Sequence, residues 1–288
     1  MLREEVQDAL RSPSSAFAQL AKDWRDVLFS DADDDRFADA YAQTVTFALL
    51  LARSEGARTL DEDLHDAVQK LAADHLLLSR ALQVLTDPAV RSEIAPPLRL
   101  LQRVIDRVLS DALHGRGGAD PWLYFYEDFL AEYDPDLRKD AGAYYTPTQV
   151  VRAQVRLIDR LLTDKLGRKM GFAEPTVITL DPAVGTGTYL LGVIDHAMRR
   201  VEQALGRGAV PGYASDLGRN IYGFEIMVGP YAVAQLRVTR SLMDHGATLP
   251  KDGPGVYLTD TLESPVRHRL RRASSISLLP NSTGRLCT

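Results

Sequence analysis

The chain has 288 residues, of which 45% are hydrophobic and 25% are charged, and it contains a single cysteine, Cys287. This composition is typical of one large domain or two smaller ones, and it excludes a disulfide framework and a cysteine-rich metal site. No apolar run is long enough to cross a bilayer, and the charged first residues do not resemble a signal peptide. We therefore expect a cytoplasmic protein with no membrane partner.

The net charge is −5, whereas a protein that grips a DNA backbone usually carries a basic surface. The charge therefore argues against a complete DNA-binding enzyme. Residues 266–288 differ abruptly, because they contain five arginines and no Asp or Glu. Such a tail is either a basic arm that contacts DNA phosphates or a disordered end of a truncated chain. The sudden change of composition favours the disordered end.

Residues 1–118 are predicted to form a helical domain. Apolar residues recur at helical spacing over 37–52, 64–76 and 98–108, and a pair of prolines marks the start of the third helix. The last of these patterns predicts a buried face that includes Val104. Nothing in this part indicates chemistry, so we interpret it as a support or interface domain.

An aromatic-rich segment follows a glycine-rich loop and includes Trp122, Phe125, Phe129 and Tyr133. It could stack on nucleic-acid bases, but the spacing of its apolar residues fits one face of a packed helix, which we favour. Beyond it the apolar period changes. The sequence predicts strands at 176–180, 220–226 and 255–258, with helices at 188–204 and 230–243 between them. Alternating strands and helices indicate an α/β fold with a partial Rossmann-like parallel sheet, preceded by the all-α domain.

The sequence DPAVGTGTYL, which begins at Asp181, stands directly after the first predicted strand and before a helix. Glycines at such a turn let the backbone approach a ligand, and the helix start offers free N–H groups. Leu190 stands where a dinucleotide loop needs its third glycine, and no lysine follows as in a phosphate loop. The loop therefore suits a nucleoside, although a plain strand-to-helix turn is the alternative.

Two further carboxylates follow the second and third predicted strands. Glu225 is placed to accept hydrogen bonds from ribose hydroxyls, although a solvent-facing side chain at a strand end is the alternative. The segment 206–219 is predicted to be an insertion that lengthens the spacing between the loop and this residue. Asp260 could accept a hydrogen bond from an exocyclic amine, but Asp is common at strand ends.

Together these segments resemble the adenine-N6 DNA methyltransferases. DPAVGTGTYL is similar to the cofactor loop DPA-x-G-[ST]-G of that family, and GAYYTP at 142–147 is similar to the element that closes over the methionine end of the cofactor. The stretch from Trp122 to Pro147 looks closest to the type ISP single-chain restriction–modification enzymes. Val184 and Tyr189 depart slightly from the family pattern, at positions that are not expected to abolish binding.

The resemblance implies a class I methyltransferase sheet that binds S-adenosyl-L-methionine, with residues 119–265 as the N-terminal half of the methyltransferase domain. The helical domain at 1–118 precedes this half, and the basic tail at 266–288 follows it. Asp181 would be part of the cofactor loop, Glu225 would bind the ribose, and Asp260 would bind the adenine of the cofactor. The full set of expected cofactor-binding residues is Tyr145, Thr146, Pro147, Asp181, Pro182, Ala183, Gly185, Gly187, Glu225 and Asp260.

The resemblance fails at the catalytic element [DNS]-P-P-[YFW], in which the polar residue and the aromatic residue hold the flipped adenine. The one proline pair, Pro96-Pro97, lacks both, so we assign no catalytic residue and no metal ligand. We expect a cofactor-binding fragment of a restriction–modification methyltransferase, which would contact double-stranded DNA through regions that are missing from this sequence or that another polypeptide supplies. The alternative is a binding module or one subunit of a split enzyme. An exposed sheet edge is expected to promote dimerisation or aggregation.

Overall fold

The computed structural model describes residues 1–27, 33–60, 64–74, 76–108, 146–250 and 253–262. Within these ranges the chain is mostly helical and carries one small parallel sheet, which confirms the predicted fold class. The predicted aromatic helix and the basic tail lie outside the described residues. Every helix in the described ranges is too short or too polar to span a bilayer.

The first described part of the chain, up to residue 108, is helical. Its helices are α1 (Leu2–Leu10), α2 (Ala16–Val27), α3 (Asp34–Ser54), α4 (Leu64–Asp74), α5 (Leu76–Leu85), α6 (Pro88–Glu93) and α7 (Ala95–Asp106). Helix α3 is the centre of this part: its predicted apolar face is buried, and Tyr41 on that face donates a hydrogen bond to the Leu85 carbonyl oxygen at 2.6 Å.

Helix α7 begins at the predicted proline pair, and its buried face agrees with the prediction in part. Leu98 and Ile105 are buried as predicted, whereas Val104 is 55% exposed and the unpredicted Gln102 is buried. Gln102 is tolerated there because its side-chain amide donates a 2.6 Å hydrogen bond to the Leu60 carbonyl oxygen. A pattern built from apolar residues alone could not find this glutamine.

The sheet contains β1 (Thr179–Asp181), β2 (Ile221–Glu225) and β3 (Gly255–Leu258), all parallel and in the order β1-β2-β3. The three predicted strands are therefore confirmed. The first begins later than predicted, because a turn at Glu174 to Val177, closed by a backbone hydrogen bond of 2.9 Å, takes up the start of the predicted strand.

Helices flank the strands: α8 (Thr148–Asp164), α9 (Thr188–Leu205), α10 (Val210–Asn220) and α11 (Val228–Asp244). The structure places α9 and α11 within about two residues of their predicted bounds. Helix α8 was not predicted, and α10 with a short 3₁₀ turn before it occupies the predicted insertion. Gly192 lets α8 and α9 pack closely, since a Cβ at that position would lie 2.8 Å from Val151 Cγ1.

Helix α11 joins the two halves of the described chain. It contacts β2 and β3 on one side and α3 on the other, and its side chains from Tyr231 to Thr239 are buried. At its far end Arg240 pairs with Glu55, just after α3, at 2.6 Å. One continuous hydrophobic core runs through both halves. The domain boundary at residue 118 lies outside the described residues and stays a prediction.

The two faces of the sheet differ. Ile221, Gly223 and Val256 point into the core, whereas Leu180 and Tyr257 on the opposite face are 52% and 39% exposed. Parallel sheets normally have both faces covered. Within the described residues, this sheet therefore leaves one apolar face open to solvent.

Candidate functional site

The ends of the three strands and the loop after β1 are tied together by hydrogen bonds. The Val184 N–H donates to the Phe224 carbonyl oxygen at 2.9 Å, and the Thr259 N–H donates to the Glu225 carbonyl oxygen at 2.7 Å. The Thr261 hydroxyl donates to the Pro182 carbonyl oxygen at 2.6 Å. These bonds gather the predicted loop and both strand-end carboxylates at the carboxyl edge of the sheet, where ligands of open α/β sheets bind.

The loop turns through two glycines with left-handed backbone angles, φ = +54° at Gly185 and +88° at Gly187. A Cβ at Gly187 would lie 3.4 Å from the Ala234 Cα, so the loop packs directly on α11. A Cβ at Gly185 would meet no atom within 4 Å, so there is open space beside this glycine. The loop therefore packs on α11 at Gly187 and is open to solvent at Gly185. Helix α9 begins directly after the loop, so the positive end of its dipole lies at the site.

Asp181 ends β1 with one carboxylate oxygen partnered and one not. Oδ1 accepts a hydrogen bond from the Ala183 N–H at 3.1 Å. Oδ2 is buried and has no hydrogen-bond partner among the described residues. Burial raises the pKa of this carboxyl above its ordinary value, and the Ala183 N–H opposes the shift. A buried acceptor without a donor is costly in a folded protein, so the group is suited to a ligand that donates.

Glu225 ends β2 and is almost fully buried. Its Oε2 accepts from the Gly185 N–H at 2.9 Å and its Oε1 from the Met227 N–H at 2.8 Å. Burial raises its pKa, backbone N–H groups oppose that shift, and the negative charge of Asp181 adds to it. A carboxylate can accept about four hydrogen bonds, so each oxygen keeps capacity for a ligand hydroxyl while the loop amide holds it in place.

The remaining predicted site residues are placed less closely. Asp260 follows β3, and its Oδ1 accepts from the Leu262 N–H at 2.8 Å in a local turn. Thr146 and Pro147 directly precede α8, which is tied to the start of α9 by a 2.5 Å hydrogen bond from the Tyr189 hydroxyl to Gln154. Among the described residues, no hydrogen bond joins Thr146 or Pro147 to the loop. Tyr145 lies outside the described residues.

Two residues that support the loop were not anticipated from the sequence. Arg237 of α11 is buried, and its Nη1 donates to the Thr186 carbonyl oxygen at 2.5 Å and lies 3.2 Å from the Thr186 hydroxyl. Gly223 in the middle of β2 leaves room for Val184, which would lie 2.9 Å from a Cβ there. A lone glycine in a strand does indicate a close approach, but no pattern in an apolar helix marks a buried arginine that holds a loop.

These features define a class of site. The parallel sheet ends in a glycine turn, a helix start and two carboxylates, of which Glu225 is buried and Asp181 is half-buried with an unpartnered oxygen, and there is open space beside the first glycine. Such an arrangement fits a ligand with hydroxyl or ammonium donors, and no described cation stands beside either carboxylate to suit a phosphate.

The sequence profile of the N-6 DNA Methylase family matches residues 122–278, which is more than half of the chain. The chain therefore belongs to this family. The match extends past residue 265 into the predicted tail, so the start of that tail stays a prediction. No curated protein matches the chain.

Three solved structures share the fold over nearly the whole chain. A DrdV–DNA complex has 20% identity and a TM-score of 0.63, and it is covered to 26% by 97% of this chain. A nuclease-deletion mutant of the type ISP restriction–modification enzyme LlaGI, in complex with a DNA substrate mimic, has 14% identity and a TM-score of 0.57; the match covers 96% of this chain and 25% of that one. The ATP-dependent type ISP restriction–modification enzyme LlaBIII bound to DNA has 16% identity and a TM-score of 0.57; the match covers 94% of this chain and 19% of that one. The chain thus spans about a quarter or less of each of these proteins.

Proposed function

We propose that this chain binds S-adenosyl-L-methionine at the carboxyl edge of its sheet and forms the cofactor-binding part of an adenine-N6 DNA methyltransferase of a restriction–modification system. When bound, this cofactor supplies a methyl group on a positively charged sulfur. The observation that carries the proposal is a pair of carboxylates at a left-handed glycine turn: the buried Glu225, and the half-buried Asp181 with its buried, unpartnered Oδ2.

Each residue of the edge has a role in this proposal. Glu225 accepts hydrogen bonds from the ribose hydroxyls, and the Gly185 N–H keeps its carboxylate oriented. Asp181 offers its unpartnered Oδ2 to a donor such as the ammonium group of the methionine part. Gly185 and Gly187 let the backbone approach the ligand, and Asp260 lies at the same edge, where it would accept from the adenine amine.

Methyl transfer to adenine needs groups that this chain does not supply. The printed sequence has no polar-Pro-Pro-aromatic tetrad to hold the exocyclic amine and stack on the flipped base. We therefore infer that these 288 residues bind the cofactor without transferring its methyl group, and that a region with such a tetrad, outside these residues or on another polypeptide, completes the enzyme and contacts the double-stranded DNA.

Isothermal titration of the full chain with S-adenosyl-L-methionine tests the site, with NAD as the competing ligand class. We expect one cofactor per chain and no heat from NAD, because the loop lacks the third glycine of a dinucleotide site. Absence of cofactor binding by a chain with a cooperative unfolding transition would contradict the assignment, and so would tight NAD binding.

A methylation assay with radiolabelled cofactor and duplex DNA tests the division of labour. The chain alone should give no labelled DNA, and addition of a polypeptide that carries an Asn-Pro-Pro-Tyr-type tetrad should restore labelling. Robust labelling by the chain alone would show that the catalytic groups lie within it, which contradicts the inference.

A second candidate function is an interaction subunit of a split methyltransferase. The open apolar face of the sheet favours it, since Leu180 and Tyr257 are exposed there and Phe224 packs against Tyr257 with ring centroids 6.3 Å apart. Leu180→Glu would place a charge on this face. Loss of complex formation with the tetrad-bearing polypeptide, with cofactor affinity unchanged, would support this candidate, and intact complex formation would oppose it.

A further inference from the structure

A groove between α8 and α9 lies apart from the cofactor edge. Its volume is about 330 Å³, and none of its lining residues belongs to the loop after β1. The residues that line it are Arg152, Val155, Arg156, Gly192, Asp195, His196, Arg199, Arg200 and Gln203. Four of them are arginines and one is an acid, in a chain whose net charge is −5. The groove is therefore a local concentration of positive charge.

Two of the four arginines are already neutralised by acids. Arg199 forms an ion pair with Asp195. Arg200 Nη1 lies 2.6 Å from Oδ2 of the buried Asp159, and its Nη2 donates to the Lys169 carbonyl oxygen at 2.9 Å. These pairs neutralise the positive charge of both α9 arginines, so the uncompensated positive charge of the groove comes from the other two arginines.

Arg152 and Arg156 of α8 supply that charge. They are exposed and stand one helical turn apart, about 6 Å along the axis. The Arg156 Nε donates to the Arg152 carbonyl oxygen, one turn earlier on the same helix, at 3.1 Å. Neither guanidinium meets a carboxylate within the described residues. The ring of His196, 28% exposed at its side chain, lies on the facing wall.

We propose that this groove binds phosphate groups of a DNA backbone, with Arg152 and Arg156 as the binding residues. Planar guanidinium groups donate paired hydrogen bonds to phosphate oxygens, and adjacent arginines with no acidic partner lose little when a phosphate arrives. The proposal deepens the proposed function, since it gives this chain its own contact with the DNA. Phosphate contacts of this kind position a protein on a duplex without reading its sequence.

The test is a salt series of DNA binding with the full chain and the double variant R152Q/R156Q. Fluorescence polarisation of a short labelled duplex gives the association constant at each salt concentration. The slope of its logarithm against the logarithm of salt concentration changes by about 0.9 for each phosphate contact. We expect the variant's slope to be shallower by about 1.8, and its affinity at about 0.1 M salt to be up to ~60-fold lower.

The matched control is R99Q/R103Q. These arginines are exposed on α7, have the same spacing, lie outside the groove and meet no carboxylate in the described chain, so the change in net charge is identical. The control should keep the wild-type slope, and R152K/R156K should keep most of it because charge is retained. An equal loss in the control would overturn the groove assignment, as would a wild-type slope in R152Q/R156Q or no DNA binding by the wild type.

Cofactor titration separates this proposal from the proposed function. R152Q/R156Q should bind S-adenosyl-L-methionine as the wild type does, since neither arginine contacts the loop. DNA binding with the expected slopes and no cofactor binding would sustain the groove and sink the proposed cofactor site. Competition by polyglutamate as effective as that by unlabelled duplex would show a general acidic-protein surface and would overturn the choice of DNA.

Discussion

Carboxylates that are buried or half-buried lie at two places in the described part of the chain, and the two places differ in the groups that partner these carboxylates. Between α8 and α9, Asp159 accepts a hydrogen bond from the Phe172 N–H at 3.1 Å and pairs with Arg200 at 2.6 Å. His196 Nε2 lies 3.1 Å from Asp159 Oδ2, the oxygen that Arg200 contacts, and makes no hydrogen bond to it. At the carboxyl edge, Asp181 and Glu225 are bonded by backbone N–H groups, and burial raises the pKa of both.

The difference separates support from binding. Asp159 links α8, α9 and the 3₁₀ turn at Gly171–Ala173, and its removal would leave the partly buried Arg200 without its ion-pair partner. Neither Asp181 nor Glu225 forms an ion pair with a cation among the described residues, and both can accept further hydrogen bonds. Such carboxylates are typical of ligand-binding sites. The comparison predicts that changes at Asp159 alter folding and that changes at the edge alter cofactor affinity.

The largest expected effect is on stability. Asp159→Ala should lower the free energy of unfolding by about 3 kcal/mol, because it leaves Arg200 and the Phe172 N–H without their partner. Denaturant unfolding followed by circular dichroism measures this. Asp164→Ala removes an exposed carboxylate from the same helix and should change the free energy by less than about 0.5 kcal/mol. Similar values for the two variants would break the comparison.

The next effect is on cofactor affinity. Glu225→Ala should raise the Kd for S-adenosyl-L-methionine by about 100-fold, because two charge-assisted hydrogen bonds to the ligand are lost and the Gly185 N–H is freed. Calorimetric titration measures the Kd. Glu202→Gln, at a half-buried residue near the end of α9 that pairs with Arg207, serves as the control and should leave the Kd unchanged. A Glu225→Ala variant with wild-type affinity would remove Glu225 from the site.

Asp181→Asn is expected to act in opposite directions on affinity and stability. The Kd should rise about tenfold, because the amide nitrogen cannot accept from a ligand donor. The cofactor-free variant should be more stable than the wild type at neutral pH. The pKa of Asp181 is raised by folding, so its contribution to stability is fully present below the unfolded value of about 4 and is lost as pH rises through the folded value.

Unfolding in denaturant across pH measures this second effect. The stability advantage of Asp181→Asn should shrink as pH falls through the folded pKa and vanish below about 4, where Asp181 becomes protonated in both states. An advantage that is constant with pH, or a variant less stable than the wild type at neutral pH, would show that Asp181 is not strained by burial.

The smallest expected effect concerns Arg237, which contacts the loop and not the ligand site itself. Arg237→Gln should raise the Kd about fivefold, since the Thr186 carbonyl oxygen loses its donor and the loop loses its fixed position. Arg240→Gln on the same helix removes the ion pair to Glu55 and is the matched control. If both variants lose stability but only the first loses affinity, Arg237 positions the loop. If Arg237→Gln and Arg240→Gln have the same Kd for the cofactor, Arg237 contributes to stability alone and does not position the loop for binding.

Sequence patterns predicted the elements whose periodicity is strong. The apolar face of α3, the strands β2 and β3 and the helix after the glycine turn were all confirmed, because burial imposes a regular spacing on such elements. Helix α8 was missed. Its buried residues, Val151, Val155 and Asp159, include a charged one, so the stripe did not read as apolar. The prediction of a buried Val104 was wrong, because this residue lies on the exposed side of α7 while the polar Gln102 is buried.

The sequence by itself determined the family and the chemistry at the strand ends, because a glycine turn between a strand and a helix and acids after neighbouring strands are local features of the chain. Only the tertiary structure decided which groups hold that edge. Arg237 reaches Thr186 over 51 residues, and α3 backs the helix that carries it. Such contacts depend on how distant elements pack, and no local spacing in the chain encodes them.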